Sequence, residues 1–390
     1  MTTSSPAAAR AAQFDAFLRQ DPDNASLLLE AFDAHLQAGQ FDAAQFHLVH
    51  ATRLGHDRAR WGLNAVHLAL ARGEWESAAA QARQLLDQPG QAPELQSALA
   101  HAVAYANFRL GRFDEAALAL EPLLAPADDQ PLAPATQALA LRVWHRQYQF
   151  ERALAWAAAR FDAGTLAPEA AGAASLVALD AGDFAASTRW AQASLAGGPP
   201  TAEALVAASS LATANRDPAN GQAFARQALA LNPNDGRSWS ALGLAQMLAG
   251  GLHDARVSFR NAVRSMPEHQ GTWIAMAWAE FLLGDDAAAL QTFEKAVEID
   301  RNFGEAHGGL AVIQAKLGRR EEALASIERA RRLDASGLSL RFAQRLLEGG
   351  DIRDDRGLLL LARRLLGERP SPLGGTMADW LPPDEPPPAP

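Results

Sequence analysis

Histidines on one predicted helix come closest to a chemical site in this sequence. His47 and His50 stand three positions apart and His56 follows, so two imidazoles share a helix face and could bind a metal ion such as Zn²⁺. No carboxylate completes the set at helical spacing, and the chain has no cysteine to supply a thiolate. The sequence therefore predicts no metal site and no cofactor.

Catalytic motifs are equally sparse. His253 stands next to Asp254 in a predicted turn between helices, and such a pair is more typical of a solvated turn than of a catalytic dyad. The sequence lacks the glycine-rich phosphate loop, the dinucleotide-binding glycine pattern and the Gly-x-Ser-x-Gly elbow. We therefore expect a protein that is not an enzyme.

A period of 34 residues organises the chain and is clearest after Trp239. Landmarks three or four positions apart share one face of a helix, so each period predicts two packed helices. Small residues such as Gly243 and Ala255 let the two helix axes approach closely. The landmarks of three successive units are Trp239, Leu242, Gly243, Ala255, Phe259, Ala262 and Pro267; Trp273, Met276, Ala277, Ala289, Phe293 and Ala296; and His307, Leu310, Ala311, Ala323, Ile327 and Ala330.

This period and order of residues resemble the tetratricopeptide repeat. The resemblance implies an all-α fold, an α-solenoid of tandem helix-turn-helix units that form a right-handed superhelix with a concave groove. Nine repeats are expected, starting near residues 25, 59, 97, 134, 168, 202, 236, 270 and 304. We expect an N-terminal capping helix in 1–24, the array in 25–337, C-terminal capping helices in 338–369 and a mobile proline-rich tail in 370–390.

Composition limits the partners and the location. The formal net charge of −10 argues against nucleic acid. No apolar run is long enough to cross a membrane, and the N-terminus lacks the basic start and apolar stretch of a signal peptide, so a cytoplasmic location is expected. Only two of the 35 basic residues are lysine, which, with abundant alanine, glycine, proline and arginine, suggests a GC-rich bacterial genome.

Related solenoids line their groove with the first helix of each repeat, and the resemblance therefore implies which side chains face a partner. The polar part of this groove suits a carboxylate or an acidic peptide, although the same residues could be ordinary solvated positions. Its predicted members are His67, His101, Tyr105, Arg109, Arg142, His145 and Arg146.

Farther along the chain the predicted groove becomes apolar. Left bare, this part would be an exposed patch that needs an explanation, so either a partner segment or the chain's own C-terminal helices should cover it. Its predicted partner-binding members are Leu244, Met247, Ile274, Trp278 and Phe281.

Three further patterns bear on binding. Trp156, Trp190 and Phe224 are spaced by 34 and form a ladder that either restores core volume or makes a convex binding strip. Trp380 in the proline-rich tail could anchor in a groove or have no role. No repeat has the Lys and Asn pair with which related chaperone clamps grip a terminal carboxylate.

These observations predict an interaction scaffold or adaptor that binds protein segments in its groove. A bacterial secretion, pilus or envelope-polysaccharide system is the expected setting. A dedicated chaperone of a secreted subunit and a regulatory subunit of a separate enzyme remain as alternatives. The capping helices or the tail could also mediate homo-oligomer formation.

Overall fold

The computed structural model describes residues 6–124 and 132–348, and every regular element in these ranges is an α-helix. The first nine helices are α1 (Pro6–Leu18), α2 (Ala25–Gln37), α3 (Phe41–Arg53), α4 (Arg58–Arg72), α5 (Trp75–Leu86), α6 (Pro93–Arg109), α7 (Phe113–Leu124), α8 (Pro134–Arg146) and α9 (Phe150–Asp162). The others are α10 (Pro168–Asp180), α11 (Phe184–Gly197), α12 (Ala202–Ala214), α13 (Pro218–Leu231), α14 (Gly236–Leu248), α15 (Leu252–Ser265), α16 (Gln270–Leu282), α17 (Asp286–Ile299), α18 (Gly304–Lys316), α19 (Arg320–Leu333) and α20 (Leu338–Glu348).

A left-handed residue marks the turn inside each helix pair from α2–α3 to α18–α19. Seven of these turns use glycine, which adopts positive φ without a steric penalty. Tyr148 (φ 56°) and Arg216 (φ 60°) hold the same place in the other two turns. The glycines are Gly39, Gly73, Gly111, Gly182, Gly250, Gly284 and Gly318.

The described helices form two compact units that divide between Ala170 and Ala171. Helices of one pair pack against each other, as α4 and α5 or α14 and α15 do, and first helices such as α4 and α6, or α12 and α14, also touch. This is the all-α arrangement of a repeat solenoid. None of the helices within 6–124 and 132–348 is both long and apolar enough to cross a membrane.

The ends of the array are helical where the structure describes them. The expected N-terminal helix is α1, which packs on α2, and α20 packs on α18 and α19. Leu340 and Phe342 of α20 are buried in a core that also contains Phe293 and Ile313. The rest of the expected capping region, 349–369, and the tail with Trp380 lie outside the described residues.

The aromatic ladder has one fully buried member. Trp190 is 1% exposed, whereas Trp156 and Phe224 are half-buried. Within the first unit, the Trp156 ring meets Trp144 edge to face at 5.4 Å. Phe224 packs in the second unit on a core that contains Leu205. Trp156 and Phe224 thus each pack on a buried side chain while part of the ring stays exposed.

A side-chain hydrogen bond joins the two helices in each of three successive pairs of the second unit. The Ser258 hydroxyl lies 2.7 Å from Gln246 Oε1, and the Ser326 hydroxyl lies 2.7 Å from Gln314 Oε1. The middle pair instead has a carboxylate, since the Thr292 hydroxyl donates to Glu280 Oε2 at 2.6 Å. Glu280 is 2% exposed, and burial raises the pKa of its carboxyl above the usual value.

Glu280→Gln is expected to stabilise the protein at neutral pH and to have little effect in acid. The raised pKa means that the folded state holds the Glu280 proton more tightly, so stability is lost as pH rises above the carboxyl's unfolded pKa. Glutamine keeps the bond from Thr292 and removes the buried charge. We expect the melting temperature at pH 7 to rise by about 3 °C, the shift for roughly 1 kcal/mol. A variant less stable than the wild type at pH 7 would contradict this reasoning.

Candidate functional site

The predicted polar residues all lie on first helices of the first unit. His67 is on α4, where its side chain is exposed. On α6, His101 and Tyr105 are half-buried and Arg109 is exposed, and on α8, Arg142 and His145 are half-buried and Arg146 is exposed. A side chain of this set can bind a partner only if contacts within the protein do not already occupy its polar atoms.

Arg109 is the last residue of α6, where a cation is favourable because the helix dipole is negative at that end. Its guanidinium carbon lies 4.2 Å from the centre of the Trp75 ring, and its Nη1 donates to the Tyr105 hydroxyl at 3.1 Å. Trp75 is the first residue of α5 and meets Tyr105 edge to face. Among the residues of the two described ranges, no carboxylate pairs with Arg109.

Arg146 repeats this arrangement one pair later. It is the last residue of α8, and its guanidinium carbon lies 5.0 Å from the centre of the Phe113 ring, where α7 begins. It has no carboxylate partner in the described part of the chain. Both arginines are thus held by an aromatic ring, while the polar edge of the guanidinium stays open to an anion.

A third arginine extends the series in the other direction. Arg72 ends α4, so Arg72, Arg109 and Arg146 close three successive first helices and are separated by 37 residues each. We call these three side chains the arginine row. Arg72 is paired, because its Nη2 donates to Asp42 Oδ1 at 3.0 Å. Two of the three arginines therefore have no carboxylate partner in the described ranges, and all three are at helix ends.

The histidines beside the row add little charge. Loss of hydration lowers the pKa of His67, although Asp33 partly offsets this effect. Burial likewise lowers the pKa of His101, with a smaller opposing influence of Glu169. Because an unperturbed histidine titrates near pH 6.5, both rings are neutral at pH 7. Positive charge at this site therefore comes from the arginines.

Neutral His101 serves to align its neighbours. Its Nδ1 is 3.0 Å from the Thr136 hydroxyl of α8, and its ring is parallel to Tyr105, with 6.4 Å between ring centres. Tyr105 in turn accepts the hydrogen bond from Arg109. His101 and Tyr105 thus connect α8 to the guanidinium on α6.

Two of the predicted polar residues are already engaged. Arg142 Nη1 donates to Glu169 Oε1 at 3.3 Å within the first unit. The His145 ring packs on Phe150, with 5.8 Å between ring centres. Arg142 and His145 are therefore less available than Arg109 and Arg146 to bind an anion from a partner.

The predicted apolar residues are largely covered within the second unit. Ile274 and Phe281 are buried, Met247 is half-buried and Leu244 is 39% exposed. The Trp278 ring meets Phe281 and Phe293 at 5.4 Å. It also approaches Phe342 of α20, at 6.3 Å. Of the two expected occupants, the chain's own C-terminal helix is the one that lies against Trp278.

Several features of the site were not apparent in the sequence. Trp75 and Phe113 support the arginines from second helices, and Arg72 belongs to the same row. The available signal was the constant spacing of 37 between arginines that end first helices. His253 and Asp254, considered above as a dyad, are both exposed in the first turn of α15.

Part of the chain matches a known protein family, and several solved structures have a similar fold. Residues 281–339 match the family model of the tetratricopeptide repeat. No curated protein matches the chain.

Three solved structures illustrate the similarity. A tetratricopeptide repeat protein from Parabacteroides merdae is 15% identical over 65% of this chain and 98% of its own, with a TM-score of 0.45. MamA is 17% identical over 40% of this chain and 92% of its own, with a TM-score of 0.36. A MamA mutant is 18% identical over 43% of this chain and 97% of its own, with a TM-score of 0.35.

The matched residues run from the end of α16 to the start of α20 and include the clearest of the 34-residue units. The same helix pair, with a left-handed residue at its turn, recurs from α2 to α19. Residues 281–339 are thus similar to the tetratricopeptide repeat family, and the described ranges on both sides of the gap have the all-α arrangement of a repeat solenoid.

Proposed function

We propose that the arginine row binds an acidic, extended segment of a partner protein and that the chain acts as a scaffold without catalysis of its own. A tetratricopeptide repeat fold serves protein–protein interaction. The main support for this proposal is the environment of Arg109 and Arg146. Both are exposed, both lie on an aromatic ring, and neither has a carboxylate partner in the described ranges.

Such arginines are well suited to recognise carboxylates. A guanidinium presents parallel N–H donors that match the two oxygens of a carboxylate. The ring beneath each guanidinium restricts the long side chain before binding, so less conformational entropy is lost in the complex. The protein's net charge of −10 opposes acidic partners at long range, and the attraction must therefore be local.

The spacing of the row favours an extended segment. Packed helices have axes about 8–10 Å apart, and an extended polyproline II chain advances about 3.1 Å per residue with every third side chain on the same face. A partner with an acidic residue at roughly every third position could therefore place successive carboxylates on successive first helices. The Trp75 and Phe113 rings could contact the partner's side chains that lie between its acidic residues.

A peptide titration tests the proposal. Fluorescence anisotropy of the full chain would be measured with a labelled extended peptide that has glutamate at every third position. Saturable binding is expected, and it should weaken as salt is added because the contacts are exposed ion pairs. The matched peptide with glutamine in place of glutamate should bind at least tenfold more weakly. Equal binding of the two peptides would contradict the proposal.

The proposal also includes the cellular setting of the scaffold. We place the scaffold in the cytoplasm, within a bacterial secretion, pilus or envelope-polysaccharide assembly. Affinity capture from the native host would identify the partner, whose captured region should contain an acidic extended segment. The alternative of a subunit chaperone has less support, because α20 already lies against Trp278 in the second unit.

A further inference from the structure

Two buried histidines and one carboxylate converge where the first three helices meet. Asp15 Oδ1 of α1 lies 3.0 Å from His35 Nε2 of α2 and 3.1 Å from His47 Nε2 of α3. His35 is 5% exposed and His47 is 6% exposed. Their rings stack with 5.2 Å between centres, and the ligand atoms of the three residues lie within 4.8 Å of one another.

The hydrogen bond on the far side of His35 fixes where its proton lies. His35 Nδ1 is 2.7 Å from Gln40 Oε1, which can only accept, so Nδ1 donates. In a neutral imidazole, Nε2 then has a lone pair that faces Asp15 Oδ1. Two acceptors at 3.0 Å need a positive charge between them. One proton could serve a single nitrogen–oxygen pair, whereas one metal ion would serve all three atoms.

The dimensions of the cluster suit a tetrahedral ion. Zinc binds histidine nitrogen at about 2.0–2.1 Å and carboxylate oxygen at about 2.0–2.2 Å, which sets neighbouring ligand atoms roughly 3.3 Å apart. The two distances from Asp15 Oδ1 are within a few tenths of an ångström of that value. The Asp15 side chain is 41% exposed, so an ion and a water ligand can reach the cluster from solvent.

We propose that Asp15, His35 and His47 bind Zn²⁺ or a similar divalent transition metal, with Gln40 orienting His35. A ligating histidine that donates its second N–H to an oxygen is the usual arrangement around zinc. Each ligand belongs to a different helix, and the ion would therefore fasten α1 to the first repeat. Because the arginine row shares none of these residues, the site is independent of the proposed peptide binding.

Zinc titration of the full chain tests this site. After treatment with a chelator and dialysis, isothermal titration calorimetry with Zn²⁺ alone should show one saturable equivalent, and the ion should raise the melting temperature. His47→Gln and Asp15→Asn should each weaken this binding at least a hundredfold. Gln40→Ala should weaken it about tenfold, as for other residues that orient zinc ligands.

His50→Gln is the matched control. His50 is on the same helix as His47, but its Nε2 contacts Asp23 Oδ1 at 3.0 Å, outside the cluster. This variant should bind zinc as the wild type does. No saturable binding by the wild type, or unchanged binding in Asp15→Asn, would overturn the proposal and leave a cluster held by hydrogen bonds only. Circular dichroism checks that the variants fold. If His47→Gln does not fold, zinc binding by Asp15→Asn tests the proposal.

Discussion

Replacing both Arg109 and Arg146 with glutamine is expected to weaken binding of the glutamate peptide by about a hundredfold. A hydrogen bond to a charged group contributes about 1.5–3 kcal/mol, and each 1.4 kcal/mol is about a factor of ten in affinity. The fold should be unaffected, since both side chains are exposed and neither neutralises a carboxylate in the described ranges. The same anisotropy titration measures the loss.

A distant arginine provides the control for this variant. Arg226 is exposed on α13 of the second unit, where it donates to Gln222 at 2.9 Å. Arg226→Gln changes the net charge in the same direction and should keep affinity within about twofold. If the double variant also kept wild-type affinity, the arginine row would not be the binding surface. Binding should vary little between pH 7 and 9, because His67 and His101 are already neutral there.

Gly309→Ala is expected to destabilise the second unit by about 1–3 kcal/mol, the usual cost of overpacking a core. A Cβ at this position would lie 2.1 Å from Phe293 Cε1. Phe293 is fully buried and meets Trp278 at 5.4 Å, so its ring has little room to move. Thermal unfolding followed by circular dichroism should show a loss of several degrees.

Gly271→Ala is the matched control for this substitution. Gly271 is the second residue of α16, and a Cβ there would approach only the His269 ring, whose nearest atom, Cε1, would be 3.4 Å away. Alanine restricts the unfolded chain more than glycine does, by about 0.4–1 kcal/mol, so this variant should be slightly more stable than the wild type. A Gly309→Ala protein as stable as Gly271→Ala would show that helices α17 and α18 can separate at little cost.

The repeat could be predicted from the sequence because its landmarks are local. Glycine at the left-handed turn and small residues such as Gly243 recur in register, and a Cβ at Gly243 would lie 2.6 Å from Phe259 Cε1. Tyr148 and Arg216 occupy the same turn without a distinctive residue type. One helix boundary shifted: the repeat expected near residue 97 has a first helix that begins at Pro93, because proline is well tolerated in a first turn.

Contacts between helices account for what the sequence could not show. The sequence places no carboxylate three or four residues from His47 on α3. In the folded protein, Asp15 of α1 lies 3.1 Å from His47 Nε2. The apolar groove residue Trp278 is approached by Phe342, which lies two first helices farther along. Trp75 likewise comes from a second helix to support Arg109. Each contact depends on helix packing, which the periodic pattern of a single helix does not encode.

Hydrogen–deuterium exchange of the full chain, with and without a saturating amount of the glutamate peptide, locates the binding surface. If the arginine row binds the peptide, exchange should slow in the segments that hold the row and its aromatic supports, residues 72–76, 109–113 and 146–150. Exchange in the second unit should stay unchanged. Protection confined to the second unit, or none in these three segments at saturation, would show that the arginine row is not the binding surface.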